Sequence, residues 1–410
     1  MPKIHLIDVT NRDGVQTANL NLSKLEKTMI NYYLNQMGIW QSEFGFPTTE
    51  HETNYLGANL KLAEMGVLSP IRLGGWVRAI PSDIKLAFNL VPDIKHLNLS
   101  ISTSDQMIQH KFRGKFDRKA VVNEMREAVG VAKKLGAESV GVNAEDASRT
   151  DIEQLLEFGL ATRNVGANRL RYCDTVGYDS PYSIYDRISV LAKELKMPIE
   201  IHCHNDLGMA IANSLAGAKA AIDNGVDVYI NTTVNGIGER AGNADLVGVI
   251  LSLKHSSVIS ENYELDENVK LSLAWRICKY TARAFGISIP INQPGVGANM
   301  FAHASGIHAD GVLKDPQNYE LYDYEELGRG EPEIVETGRE ILLGQYSGTK
   351  GFRYVCSEIG VEFVDEQETK EVWELVRLAN VLKQESLDAD EIRFIAKYPD
   401  ITRQILSTNP

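Results

Sequence analysis

Short apolar runs of strand length alternate with longer amphipathic stretches over the first two-thirds of this chain, and that alternation restricts the fold more than any other feature. Strand-like runs fall at 4–9, 39–44, 71–76, 94–101, 139–143, 169–173, 199–204 and 226–231. Helical patterns lie between them, such as SKLEKTMINYYLNQMG, where Ser23 can cap the start and Gly38 can end the helix. Strand–helix units in this number within about 250 residues match the size of a (β/α)8 barrel. An open doubly wound sheet is the alternative, but its early G-x-G-x-x-G turn is missing. The expected fold class is α/β: a TIM barrel over 1–255, then small helical C-terminal subdomains. The first of these, over 256–350, includes a linker rich in Gly, Pro and His; the second spans 351–410.

Charge and cysteine usage narrow the partners. A net charge of −13 disfavours nucleic acid and anionic membrane. No apolar run reaches the roughly 20 residues that cross a bilayer. The first residues enter a strand-like run with no leader pattern, and the four cysteines form no C-x-x-C pair. These features lead us to expect a cytoplasmic protein with reduced, buried thiols.

The chemistry concentrates at strand ends. In IEIHCHND, residues two apart share a strand face, so His202 and His204 point one way and Cys203 the other. Hydrogen bonding to neighbours would explain two such histidines equally well. Asp13, in LIDVTNRDGVQ after the first strand, changes the balance, because it brings a hard oxygen donor to the same barrel mouth. Two imidazoles and a carboxylate form a facial triad with positions left for substrate. Arg12 sits beside Asp13, and Glu43 at the end of the second strand can orient it. Glu145 and Asp146 end the fifth strand, and Asp174 and Thr175 the sixth, either to face the site or to cap helices. NGIGERAGNADL follows the eighth, with Asn243 close before a helix.

Taken together, RDG with Glu43, HCHND and NGIGERAGN resemble the DRE-type TIM-barrel, metal-dependent acyl-CoA family of Claisen-condensing synthases. SGIHADGVLKDPQNYE is similar to the segment of those synthases that carries a catalytic His and, 11 residues later, a Tyr, here His308 and Tyr319. The resemblance implies that Asp13, His202 and His204 ligate a divalent metal, Mn²⁺ ahead of Mg²⁺, Co²⁺ or Zn²⁺, with Asn243 as a further contact. It implies that Arg12 stabilises an enolate and that Glu145, His308 and Tyr319 serve proton transfer. Thr175, with Gln16 and Asn143, would bind a 2-oxo acid. Acetyl-CoA would be the co-substrate, and the His/Tyr segment would reach the barrel of a second copy in a homodimer. The lyase branch of the family fits less well, because its cysteine-bearing loop is absent from NGIGERAGN.

Departures from the common family pattern bear on which acid is bound. Homocitrate synthases carry an Arg on the fifth strand where Gly141 stands, which argues against 2-oxoglutarate. Trp76 would narrow the pocket, and Arg78 would pair with a second carboxylate. The sequence to Pro410 carries no trace of the regulatory domain of leucine-sensitive isopropylmalate synthases, so leucine regulation of that kind is not expected. DVTNRDGVQTA and QSEFGFPTTEHE are most similar to the Re-type citrate synthases, which use oxaloacetate; homocitrate, isopropylmalate and citramalate synthesis are the alternatives.

Overall fold

The computed structural model describes residues 2–257, 259, 263–333 and 338–407. Eight parallel strands close on themselves: β1 (Lys3–Asp8), β2 (Gln41–Gly45), β3 (Arg72–Arg78), β4 (His96–Ser102), β5 (Ser139–Glu145), β6 (Arg169–Asp174), β7 (Ile199–Cys203) and β8 (Val228–Thr232). Closure comes from β1, which pairs Ile4 with Val228 on one side and Ile7 with Gln41 on the other. All eight strand-like runs became strands, with ends displaced by no more than two residues. A two-residue strand, Glu264–Leu265, adds to the outer edge of β1 and was not foreseen.

The barrel helices are α1 (Lys24–Gln36), α2 (Thr53–Glu64), α3 (Pro81–Leu90), α4 (Asp105–His110), α5 (Arg118–Lys134), α6 (Ile152–Arg163), α7 (Pro181–Leu195), α8 (Ala210–Asp223) and α9 (Leu246–His255). Helix α1 starts where its sequence signals: Ser23 accepts from the Glu26 amide while Glu26 returns to the Ser23 amide. Gly38, at φ 76°, lets the chain turn out of it. Outward strand residues such as Leu6, Leu97, Val140, Leu170 and Ile201 are buried against these helices. None of the helices in the described residues is long and apolar enough to cross a membrane.

Beyond the barrel come α10 (Ala274–Ala284), α11 (Gly306–Lys314), α12 (Thr349–Glu358), α13 (Glu366–Lys383), α14 (Ala389–Lys397) and α15 (Pro399–Leu406). The last helices turn back onto the barrel. Lys383 pairs with Glu26 of α1 at 3.3 Å, and Tyr280 of α10 donates to Glu391 at 2.9 Å. The expected 351–410 subdomain therefore packs on the same core as the barrel helices it touches. Positions 258, 260–262, 334–337 and 408–410 of the expected C-terminal regions lie outside the described residues.

Candidate active site

The turn after β1 places Arg12 and Asp13. Both amides bond the Val9 carbonyl, at 3.1 and 2.7 Å, so the segment winds inward over the barrel mouth. On β7 the alternation of side chains brings Glu200 and His202 to the interior, with His204 following just past the strand end, while Cys203 is buried on the opposite face in the apolar core. Asp13 Oδ2 lies 3.1 Å from His202 Nε2 and 3.8 Å from His204 Nε2, and the two imidazole Nε2 atoms are 3.3 Å apart. One donor atom from each of the three residues therefore falls within 4.8 Å of the others, close enough to hold one ion. Asn243 forms a backbone bridge to His204, and both polar atoms of its buried amide lack a hydrogen-bond partner among the described residues. A carboxylate, two imidazoles and an unpartnered amide, with no thiolate, fit a divalent cation held by oxygen and nitrogen.

Electrostatics prepare this donor set. Burial alone would push the Asp13 carboxyl up, but Arg12 and the two imidazoles outweigh it and hold the group well below the usual carboxylate range. For His204, burial and the neighbouring His202 disfavour the cation and bring its pKa down to about 3, which leaves a neutral imidazole ready to ligate.

Beneath the mouth runs a layer of buried charge that the sequence reading did not foresee beyond Glu43. Arg12 Nε donates to Glu43 Oε2 at 2.6 Å, and Arg12 Nη1 to Asp13 Oδ2 at 3.0 Å. Arg171 Nη2 and Asn98 Nδ2 donate to Glu43 Oε1 at 2.7 and 2.6 Å. Arg171 Nε donates to Glu200 Oε1 at 2.6 Å, and Arg169 pairs with the other Glu200 oxygen. Burial opposes ionisation of Glu43, but Arg171 and Arg12 prevail and bring its pKa to about 2. The available signal was the alternation in RLRYCD, which puts Arg169, Arg171 and Cys173 on one strand face. The same layer explains Gly141: a Cβ there would collide with Asn98 Oδ1.

The mouth holds a cavity of about 290 Å³. Arg12, Asp13, Gln16, Asn143, Glu145, Thr175 and both histidines line it, together with Trp76, Arg171 and Arg240. Trp76 meets Phe46 edge-on at 5.9 Å, forming one wall. Asn143 is buried, and its Oδ1 has no partner among the described residues. Cys173 also reaches the cavity, where burial pushes its thiol well above the usual range and keeps it protonated. Three expected groups lie elsewhere. Arg78 is exposed and gives its Nε to Asp83 at 2.6 Å. Asp146 takes Arg149 Nε at 2.9 Å, and Asp174 accepts the Tyr178 amide at 2.8 Å, so both tie loops together.

Glu145 is clasped by Lys111, whose Nζ is 2.7 Å from each carboxylate oxygen, and by Ser102 Oγ at 2.5 Å. It stands between the main cavity and an apolar chamber of about 170 Å³; Trp76, Ser100 and Glu145 line both. Phe112 and Phe116 line the chamber, with rings 5.0 Å apart. The turn joining them has Arg113 at φ 54° and Gly114 at φ 70°, the left-handed pair of a type I′ turn. Among the described residues, no carboxylate pairs with Arg113, Lys115 or Lys119 around this turn.

His308, on α11, and Tyr319 stack on each other at 4.2 Å with an interplanar angle of 22°. Both are exposed, and neither lines the cavity of its own barrel. Of the residues expected at the barrel mouth, the structure thus sets Arg78, Asp146 and Asp174 to other contacts, and it keeps the His/Tyr pair apart from the cavity.

Comparison with known proteins agrees with this geometry. The family model described as HMGL-like matches residues 3–276, and that described as homocitrate synthase post-HMGL domain-like matches 296–383. The chain is 62% identical to citrate (Re)-synthase of Dehalococcoides mccartyi, covering 100% of this chain and 99% of that one. It is 38% identical to 2-isopropylmalate synthase 2 of Caldanaerobacter subterraneus, with 94% of each chain covered. It is 33% identical to homocitrate synthase 1 of a Nostoc species, over 97% and 98%. Among solved structures, the Bacillus subtilis HMG-CoA lyase shares the fold with a TM-score of 0.56 at 18% identity, covering 71% of this chain and 97% of the lyase. A barrel with Asp13, His202 and His204 at its mouth, followed by the region found in homocitrate synthases, places this chain in the HMGL-like family of metal-dependent TIM-barrel enzymes, alongside its acyl-transferring synthases.

Proposed function

We propose that this chain condenses acetyl-CoA with oxaloacetate, giving citrate and CoA, as a cytoplasmic homodimer that uses Mn²⁺ ahead of Mg²⁺, Co²⁺ or Zn²⁺. The observation that carries the reading is the full-length 62% identity to a citrate (Re)-synthase. Held by Asp13, His202 and His204, with Asn243 as a further donor, the cation supplies a Lewis acid for the keto group of the acid. Gln16, Asn143 and Thr175 bind the acid's polar groups from the cavity wall. The close Trp76–Phe46 contact favours a short dicarboxylic acid over a branched one.

The methyl group of acetyl-CoA is a poor carbon acid, so it needs a base and a cation placed for the developing enolate. In this reading Glu145 takes the methyl proton, and Arg12, fixed by Glu43 and Asp13, stabilises the enolate oxygen. The methyl carbon then bonds to the keto carbon, and the keto oxygen ends as a hydroxyl. Water hydrolyses the thioester, releasing CoA and making the reaction irreversible, with His308 and Tyr319 of a second copy moving protons. The apolar chamber beyond Glu145 accommodates the pantetheine arm. Arg113, Lys115 and Lys119, around the turn beside the chamber and without a carboxylate partner among the described residues, meet the phosphates as a local basic patch in an acidic chain.

The test is thiol release from acetyl-CoA with oxaloacetate, 2-oxoglutarate, pyruvate or 2-oxoisovalerate, with and without divalent metal. Oxaloacetate should give the highest kcat/KM, and chelation should abolish it. Turnover with another acid but not oxaloacetate refutes the substrate assignment; no turnover with any acid refutes the condensation.

A further inference from the structure

The buried charge layer meets the metal-binding imidazoles at one amide. Asn231 on β8 donates from Nδ2 to Glu200 Oε1 at 2.8 Å, and its Oδ1 lies 3.1 Å from His202 Nδ1. Asn231 and Glu200 are 1% and 0% exposed, so no solvent can substitute for either contact.

The donor and acceptor inventory settles the direction of this chain. Glu200 receives a guanidinium donor on each oxygen, Arg169 Nε on Oε2 and Arg171 Nε on Oε1, so both of its oxygens act as acceptors. An ionised carboxylate only accepts, so it takes the NH₂ side of the Asn231 amide. The amide oxygen then faces His202, and an amide oxygen also only accepts. Nδ1 of His202 must therefore carry a hydrogen, which in a neutral imidazole leaves the lone pair on Nε2. Nε2 is the atom 3.1 Å from Asp13 and 3.3 Å from His204.

We propose that Glu200 and Asn231 act as positioning residues that keep a hydrogen on His202 Nδ1, so that Nε2 is the ring nitrogen left to ligate the divalent cation. Through Arg171 and Glu43 the same network holds Arg12, so the two electrophilic groups of the site share one support. His204 is held differently: its Nδ1 is buried without a partner among the described residues. The proposal rests on the metal-dependent reading above, and its test separates the two.

Imidazole ¹⁵N–¹H NMR of the metal-free protein at pH 8 should show a slowly exchanging Nδ1–H on His202, absent from Asn231→Ala. Calorimetry should find Mn²⁺ or Zn²⁺ bound about 10- to 100-fold more weakly by Asn231→Ala, the usual effect of losing a metal ligand's outer partner. Glu200→Gln removes no contact to the imidazole, yet a neutral Gln amide can donate and let Asn231 flip. It should weaken the metal in the same direction, which checks the result against local unfolding in the alanine variant. An unprotonated Nδ1 in the parent, or metal affinities within twofold across all three proteins, overturns the inference. A protonated Nδ1 in a parent that binds no divalent cation sinks the condensation reading and leaves the positioning of His202 standing.

Discussion

Asp13, His202 and His204 are 2%, 5% and 6% exposed, whereas Tyr319 is 42% exposed and has His308 as its ring partner on an open segment. Two of the first group are held from beside and below: Arg12 grips Asp13, Asn231 grips His202, and the charged layer fixes both supports. The second group has donors and rings but does not line the barrel-mouth cavity of its own chain. Pre-organised sites rest on groups whose own supports are locked, and the barrel mouth meets that condition within one chain. In the proposed reading, the His/Tyr segment acts on the barrel of a second copy.

The largest expected effect breaks the barrel half. Asp13→Asn removes a ligand and the partner of Arg12, and should lower kcat by about 10³-fold or more, since a Lewis acid contributes several kcal/mol to such a step. His308→Ala should lower kcat by about 10²-fold, the scale of general acid–base catalysis, and leave metal affinity unchanged. Mixing the two variants sharpens the contrast. If His308 serves a second copy, equal mixing should recover about a quarter of parental activity, because half the dimers then carry one intact site. Recovery no greater than the sum of the two variants would place His308 and Asp13 in the same chain's site, or in none.

A smaller effect probes the support beneath the mouth. Glu43 is an acid whose folded pKa, about 2, lies below its ordinary 4.5. Its ionised form therefore contributes stability that is complete above pH 4.5 and drains away as pH falls toward 2. Urea unfolding midpoints of the parent should drop across that window, and those of Glu43→Gln should drop less from a lower starting value. Parallel pH profiles would mean that Glu43 is not the group responsible. Arg78→Ala should give the smallest change, within threefold in kcat/KM for oxaloacetate, because an exposed pair such as Arg78–Asp83 is worth about 0–1 kcal/mol. A tenfold rise in KM would show that Arg78 swings into the cavity when substrate binds.

Much of this site was legible before folding was considered. Strand alternation separated His202 and His204 from Cys203, and the position of RDG after the first strand brought Asp13 to the same mouth. The charged layer was harder to read. Arg171 and Glu43 are 128 residues apart in the chain, and a buried arginine in a strand looks locally like a misplaced surface residue. Its meaning depends on which strand lies opposite. Gly141 was first read as the absence of an arginine; it is also required by the Asn98 side chain that fills the space.

The periodicity of the chain by itself determined an eight-stranded barrel, which strand ends face the mouth, and which residue types meet there. Those properties follow from side-chain direction along a strand, which is local. Tertiary structure alone decided which charges neutralise one another inside the barrel, that Arg78 turns to Asp83, and that His308 and Tyr319 stand outside the cavity. These outcomes depend on contacts between segments far apart in sequence, where burial forces each charge to find its partner.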